Sequence, residues 1–401
     1  MSQRLQPTRA PTWANRLVAL CLFGSAFIVP SIGPNLAIVD GLIGLALVLT
    51  FVLPAQWQSE RPTVTRRLAL PIWLILIGSL AALIDVGFPL WAADGVVRNL
   101  MAILSFLAVV YLGASTVPGL KRYSNTAILA CCTVIAAMLL QGGDRRAVGT
   151  FDNPNYAAHF VVLAATFAAV IDKRSIVRLS SSVLIVGVIL LTGSFGAIAM
   201  AIVMLAYRVR TSAQKTLGRH LTVCLYSIGT VALVFVAMYG KAPLDESEQS
   251  GARRGLNEAR FERSSSRRLE IWTTALEGAW RDDPLGVGPK GLTAQGLLTE
   301  ADGTPGSGVH SDAIGWLVER GVIGFAGIAL LLYRVFRWGP PGGVVRTVIV
   351  GALVAGLFRS TLNFRHLWIV LALSVVADSA IAIAGRQGDR ERSAFASPGV
   401  M

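Results

Sequence analysis

Charge is what this sequence has least of. Charged side chains make up 15% of its 401 residues, against about a quarter in soluble globular proteins, while 54% are hydrophobic. The deficit is concentrated in uncharged apolar runs that repeat along almost the whole chain. A soluble domain of this length could build an ample core, but it could not hide so many such runs. Cysteine is scarce as well. Cys21, Cys131, Cys132 and Cys224 all fall inside apolar runs, with neither a zinc spacing nor a disulfide framework, which leaves small buried thiols. A cleavable leader pattern is missing too. Arg4, Arg9 and Arg16 precede an apolar run without a small-residue cleavage site, so that run is expected to stay as a first helix.

What is present is a series of candidate spans. Twelve can be marked: 17–33, 36–54, 68–84, 95–113, 124–140, 156–171, 176–192, 194–208, 221–239, 311–333, 344–362 and 366–384. Several fall short of the ~20 residues that cross a bilayer upright. Only Gly193 separates the seventh from the eighth. The expected fold is all-α, a polytopic membrane protein of about 12 transmembrane helices. It divides into helices 1–9 (1–239), one long periplasmic loop (240–310), and helices 10–12 with a cytoplasmic tail (311–401).

The net charge of +13 invites a nucleic-acid reading, but its distribution argues otherwise. With the N-terminus placed in the cytoplasm, basic residues gather in alternate loops. Arg61, Arg66 and Arg67 share one such segment, Lys121 and Arg122 the next, then Lys173, Arg174 and Arg178. Arg208, Arg210, Lys215 and Arg219 follow, then Arg334, Arg337 and Arg346, and finally Arg386, Arg390 and Arg392. The opposite loops 34–35 and 85–94 carry no lysine or arginine. This is the positive-inside pattern, so both termini are expected in the cytoplasm and no nucleic-acid partner is implied.

The long loop opens on polar segments at Asp245–Gln249 and Gly251–Gly255. From Arg267 to Arg281 a helix is expected, with Leu269, Trp272, Leu276 and Trp280 on one face, ended by Pro284 and Gly286. Two tryptophans on an apolar stripe suit a membrane surface, or packing against other spans.

Seven arginines lie at one level, the outer membrane face: Arg98, Arg145, Arg146, Arg267, Arg268, Arg359 and Arg365. An arginine inside a span costs ~2.5–3.5 kcal/mol on insertion scales. Each could snorkel, or pair with a carboxylate such as Asp85, Asp94 or Asp152. Together they could hold a dianion, since guanidinium forks bind phosphate oxygens two at a time. His310, where the long loop meets the tenth span, reads either as a helix-boundary residue or as a base near pH 7. Glu319, Arg320 and Asp378 lie inside spans and read equally as polar contacts or as functional groups.

Four pieces of the second half, in order, resemble the O-antigen ligase and O-antigen polymerase superfamily. Val148-Gly149-Thr150-Phe151-Asp152-Asn153-Pro154-Asn155 looks like the family's G-T-F-x-N-P-N turn, and Leu190-Leu191-Thr192-Gly193-Ser194 like its T-G-S helix junction. Arg268-Leu269-Glu270-Ile271-Trp272, with Pro284-Leu285-Gly286-Val287-Gly288, is similar to its R-x-x-x-W…P-x-x-G-x-G segment. His310-Ser311 with Glu319-Arg320-Gly321-Val322-Ile323-Gly324 resembles its H-N-x-x-L…E-x-G-x-x-G stretch. The resemblance spans about 148–335.

It implies transfer of a glycan from an undecaprenyl-pyrophosphate donor to an acceptor hydroxyl at the periplasmic face of a bacterial inner membrane, without cofactor, metal or nucleotide. The acceptor would be lipid A core, a wall polymer, a protein or a growing glycan. Arg268 and His310 fall on the family's functional loop arginine and histidine, as pyrophosphate holder and as base or orienter. Arg267, Arg98, Arg145, Arg146, Arg359, Arg365, Asn153 and Asn155 are the further candidates for donor or glycan contact. Two departures stand out. Phe195 occupies the position after T-G-S where the family often has arginine, and Ser311 replaces asparagine. Twelve spans with both termini inside also fit a secondary transporter or flippase, although no internal repeat is visible and the charges avoid the midplane.

Overall fold

The computed structural model describes residues 12–27, 38–52, 61–113, 117–141, 147–151, 153–211, 268–281, 283–294 and 309–395. Regular structure among them is entirely helical. In chain order the helices are α1 (Thr12–Gly24), α2 (Ile38–Val52), α3 (Arg61–Asp85), α4 (Leu90–Leu112), α5 (Val117–Leu140), α6 (Pro154–Ile171), α7 (Ser175–Thr192) and α8 (Phe195–Thr211). A surface helix α9 follows over 268–274 and passes into a π-helical turn at Ala275–Trp280. Then come a short turn α10 (Gly291–Ala294), α11 (Asp312–Trp338), α12 (Val344–Gly356) and α13 (Arg365–Phe395).

Seven stretches among the described residues are long and apolar enough to cross a membrane, lying in α3, α4, α5, α6, α7, α11 and α13. α2 and α12 contribute shorter apolar segments, Asp40–Leu49 and Val344–Gly356. The expected span 221–239 lies outside the described residues, as does the polar start of the long loop. The seventh and eighth spans are two helices. Gly193 ends α7 in the left-handed region (φ 55, ψ 39) and α8 begins two residues later.

The surface pattern is the inverse of a soluble bundle. On α7, Ile176, Leu179, Val183, Val186 and Leu190 recur at three- and four-residue spacing and are exposed. On α3 the same spacing exposes Leu70, Trp73, Ile77, Leu80 and Ile84. Continuous apolar stripes of this kind suit lipid. Several polar side chains turn inward and find partners there. Tyr123 donates to Asn15 Oδ1 at 2.6 Å, and the Ser105, Thr192 and Ser374 hydroxyls donate to carbonyls one turn back. α13 is the most enclosed of the span-length helices and α7 the least. Glycines let α3 and α11 approach closely. A Cβ at Gly327 would stand 2.6 Å from the Ile75 nitrogen, and Gly78 lies directly against Gly324.

Contacts between turns sort the chain into two ends. At one, Arg208 donates to the Gly342 carbonyl at 2.6 Å and Arg346 to the Gly339 carbonyl at 2.7 Å, while Arg67 covers the Trp338 ring. Asp378 accepts from the Val344 and Val345 backbone at 3.0 and 3.1 Å and so caps α12, the polar contact that was one of its two readings. Arg174 pairs with Asp172 at 2.6 Å and reaches Asn125. Those arginines belong to the alternate basic loops. The candidate site occupies the other end.

Candidate active site

The site is assembled from turns, each fixed by its own sequence. Gln141, just past the end of α5, accepts from the Val148 and Gly149 nitrogens at 3.0 and 2.9 Å and donates to the Gly149 carbonyl at 2.7 Å. Gly149 takes φ 63 and the Thr150 hydroxyl donates to the Ala26 carbonyl. Asn153 then caps α6 by accepting from the Asn155 nitrogen at 2.9 Å, with Pro154 in the first turn. The Gly149–Asn155 motif is therefore a braced turn and helix start. It delivers Tyr156 to the site.

A second device is a break in α11. An unbroken helix would join the Val322 nitrogen to the Val318 carbonyl. Here Val322 N donates to the Pro284 carbonyl at 3.2 Å, and Val318 O accepts from Val287 N at 3.0 Å. The segment Pro284–Gly288 is thus docked into the helix. Gly321 has φ 63 and ψ −175 inside α11, and Gly286 has φ 102. A Cβ on Gly286 would lie 2.5 Å from the Gly321 nitrogen. Glu319 and Arg320 pair with one another at 3.1 Å, and Arg320 covers the Trp316 ring at 4.3 Å.

α9 packs on this region through Ile271, Trp272, Ala275, Leu276 and Trp280, against Val287, Leu292, Val309 and Val318. Leu269, expected on that face, is 64% exposed. The packed face is centred on Ile271, Trp272 and Ala275, and at about 100° per residue Leu269 falls to its side. The helix ends at Arg281, ahead of the Pro284 expected to stop it.

Trp272 Nε1 donates to the Val309 carbonyl at 2.9 Å, and Ser311 on the other side is buried. Between these fixed neighbours His310 is half-buried with φ 51, one of three non-glycine residues with positive φ among those described. Its Nδ1 lies 3.5 Å from Arg359 Nη1. A guanidinium only donates, so the ring accepts from it in the tautomer with its lone pair on Nδ1, while the other tautomer leaves Nε2 as the proton acceptor.

Arg359 follows the end of α12 and lies over the Tyr156 ring at 4.8 Å. Arg268, the first residue of α9, lies over Phe358 at 5.5 Å. Burial first, then repulsion from Arg359, holds the Arg268 guanidinium below its ordinary value. Among the described residues neither arginine has a carboxylate partner. Two cations on aromatic faces, with an imidazole against one of them, form a receptor for a dianion.

Two of the other expected arginines are paired with carboxylates. Arg98 pairs with Asp94 at 3.2 Å, and Asp94 also holds Lys290. Arg365 pairs with Asp40. Their positive charge is matched by carboxylates on α4 and α2, as one of the two sequence readings anticipated. Arg145, Arg146 and Arg267 lie outside the described residues. Phe195 opens α8, and a Cβ on the adjacent Gly196 would stand 3.1 Å from Phe358 Cβ and 3.3 Å from His159 Nε2. The turn carrying Arg359 thus abuts the place where an arginine after Thr192-Gly193-Ser194 would begin. Sequence reasoning missed Tyr156, Phe358, Asp312 and Thr361. Only Asp312, a carboxylate opening an apolar span two residues after His310, carried a signal.

Fold and site together define a polytopic helical membrane protein with a cationic, histidine-bearing site at one end. In comparison with known families, residues 180–329 match the O-Antigen ligase family, so the superfamily read from the motifs is the one found. The match runs from α7 into α11 and includes Arg268 and His310, while Arg359 lies beyond it. Comparison with curated proteins gives no match.

Proposed function

We propose that this protein transfers a glycan from an undecaprenyl-pyrophosphate carrier to an acceptor hydroxyl at the periplasmic face of a bacterial inner membrane. The observation that carries the reading is His310 facing Arg359 beside Arg268, two guanidiniums that no described carboxylate neutralises. In this reading twelve spans cross the membrane with both termini cytoplasmic, and the His310 end opens to the periplasm.

The acceptor oxygen attacks the anomeric carbon of the donor glycan. The bond from that carbon to the pyrophosphate oxygen breaks, and its electron pair leaves on undecaprenyl pyrophosphate. The hydroxyl proton passes to the His310 imidazole and from there to water. Arg268 and Arg359 grip the phosphate oxygens, where negative charge grows as the bond breaks. A positioned base is worth ~10²–10⁴ in rate, and a fixed cation at the leaving group a comparable factor.

The test is His310→Ala and Arg268→Ala in cells lacking the native copy. Surface glycan is expected to disappear while protein in the membrane stays constant. Normal glycan profiles from both variants would end the proposal. Uptake of a lipid-linked sugar into vesicles, indifferent to loss of His310, would indicate a transporter instead.

A further inference from the structure

Asp312 is buried at the first position of α11, two residues beyond His310, and plays no part in the chemistry above. Its Oδ2 accepts from the Thr361 hydroxyl at 2.5 Å and its Oδ1 from the Leu362 nitrogen at 3.0 Å. Thr361 and Leu362 lie two and three residues beyond Arg359. One carboxylate therefore ties together the start of α11, which carries His310, and the turn after α12, which carries Arg359. Gly356 makes room for it, since a Cβ there would stand 2.7 Å from Asp312 Oδ2. Two chain segments that meet only at this end of the bundle are pinned so that Arg359 Nη1 sits 3.5 Å from His310 Nδ1.

We infer that Asp312 is a positioning residue for the transfer reaction: through Thr361 and Leu362 it sets Arg359 against His310. This rests on the reading under "Proposed function". Holding the backbone fixes where the Arg359 side chain starts, and the Tyr156 ring under its guanidinium limits its rotamers, before the donor arrives. The buried carboxylate needs both of its donors to be stable there. Thr361 can be altered without touching either reacting group.

The experiment measures transfer by purified full-length protein in proteoliposomes, with a lipid-pyrophosphate glycan donor. Thr361→Val, which keeps the Leu362 bond, is expected to slow transfer about tenfold, the factor one hydrogen bond to a charged group is worth. Thr361→Ser should behave as wild type, and Gly356→Ala should reproduce the Thr361→Val defect. In an Arg359→Ala background Thr361→Val should cost nothing further, because its effect passes through Arg359. Multiplying defects in the double variant, or an unimpaired Thr361→Val, would overturn the inference while loss of transfer in His310→Ala left the function standing. An active His310→Ala would bring down both. Thermal unfolding of each variant shows whether any loss is one of folding.

Discussion

At the scale of single residues, the arginines divide by what neutralises them. Arg268 and Arg359 lie on aromatic rings with no described carboxylate partner, whereas Arg98 and Arg365 are committed to Asp94 and Asp40. Removing Arg268 is expected to lower turnover ~10²–10³-fold, as loss of one charge-stabilising donor does. Arg268→Lys should recover only part of that, since an ammonium lacks the planar fork. Arg98→Ala should cost less than about tenfold, because an ion pair at the surface is worth little. In vitro transfer rates across the three variants check the division.

Asp283 gives a pH prediction. Burial, with a hydrogen bond and charge repulsion from Asp85, pushes its carboxyl above the ordinary carboxylate range, while its own bonds from Leu285 and Gly286 pull the other way. A group whose folded-state value is raised binds more protons folded than unfolded. Its contribution is therefore present at low pH and lost as pH rises through the window above the ordinary carboxylate value. Backbone hydrogen exchange over 283–288 should speed up across that window beyond its intrinsic rise, and Asp283→Asn should remove the excess.

At the scale of elements, the glycines of the Pro284–Gly288 and Glu319–Gly324 motifs shape the backbone rather than the chemistry. Gly286→Ala puts a methyl against the Gly321 nitrogen and forces a φ of 102 on a residue with a side chain. The expected cost is about 1–3 kcal/mol, read as a lower unfolding temperature in detergent. The sequence could announce that these positions need glycine, but not that the two motifs meet. Their hydrogen bonds join Val287 to Val318 and Pro284 to Val322, far apart in the chain, and the π-helical turn at Ala275–Trp280 leaves no mark in the apolar spacing. Span positions fared better, because a lipid-facing helix must be apolar for most of a turn in every turn. Asn153, a candidate for glycan contact, also caps α6, with its side chain accepting from the Asn155 nitrogen. The contact of His310 with Arg359 joins positions 49 apart, and only tertiary structure supplies it.

At the scale of the whole molecule, the two ends carry different populations of charge. The turns at the far end spend their arginines on carbonyls, an aromatic ring and Asp172. The site end holds the pair that no described carboxylate neutralises. Under the proposed orientation, cysteines introduced at Leu285 and Ser360 should react with an impermeant maleimide added to spheroplasts, and one introduced at Pro340 should not. Labelling only at Pro340 would leave the site without access to its donor. A deletion strain separates the two transfer reactions: polymer accumulating on its lipid carrier means a ligase, and single repeat units mean a polymerase.

The break at Gly321 couples two parts of the molecule that a continuous helix would keep independent. Because Val318 and Val322 have given their mutual bond to Val287 and Pro284, straightening α11 and releasing the 284–288 segment are a single event. Any movement of that segment is therefore also a change in the bend of α11, the helix that runs on to Arg334 and its bond to the Arg67 carbonyl.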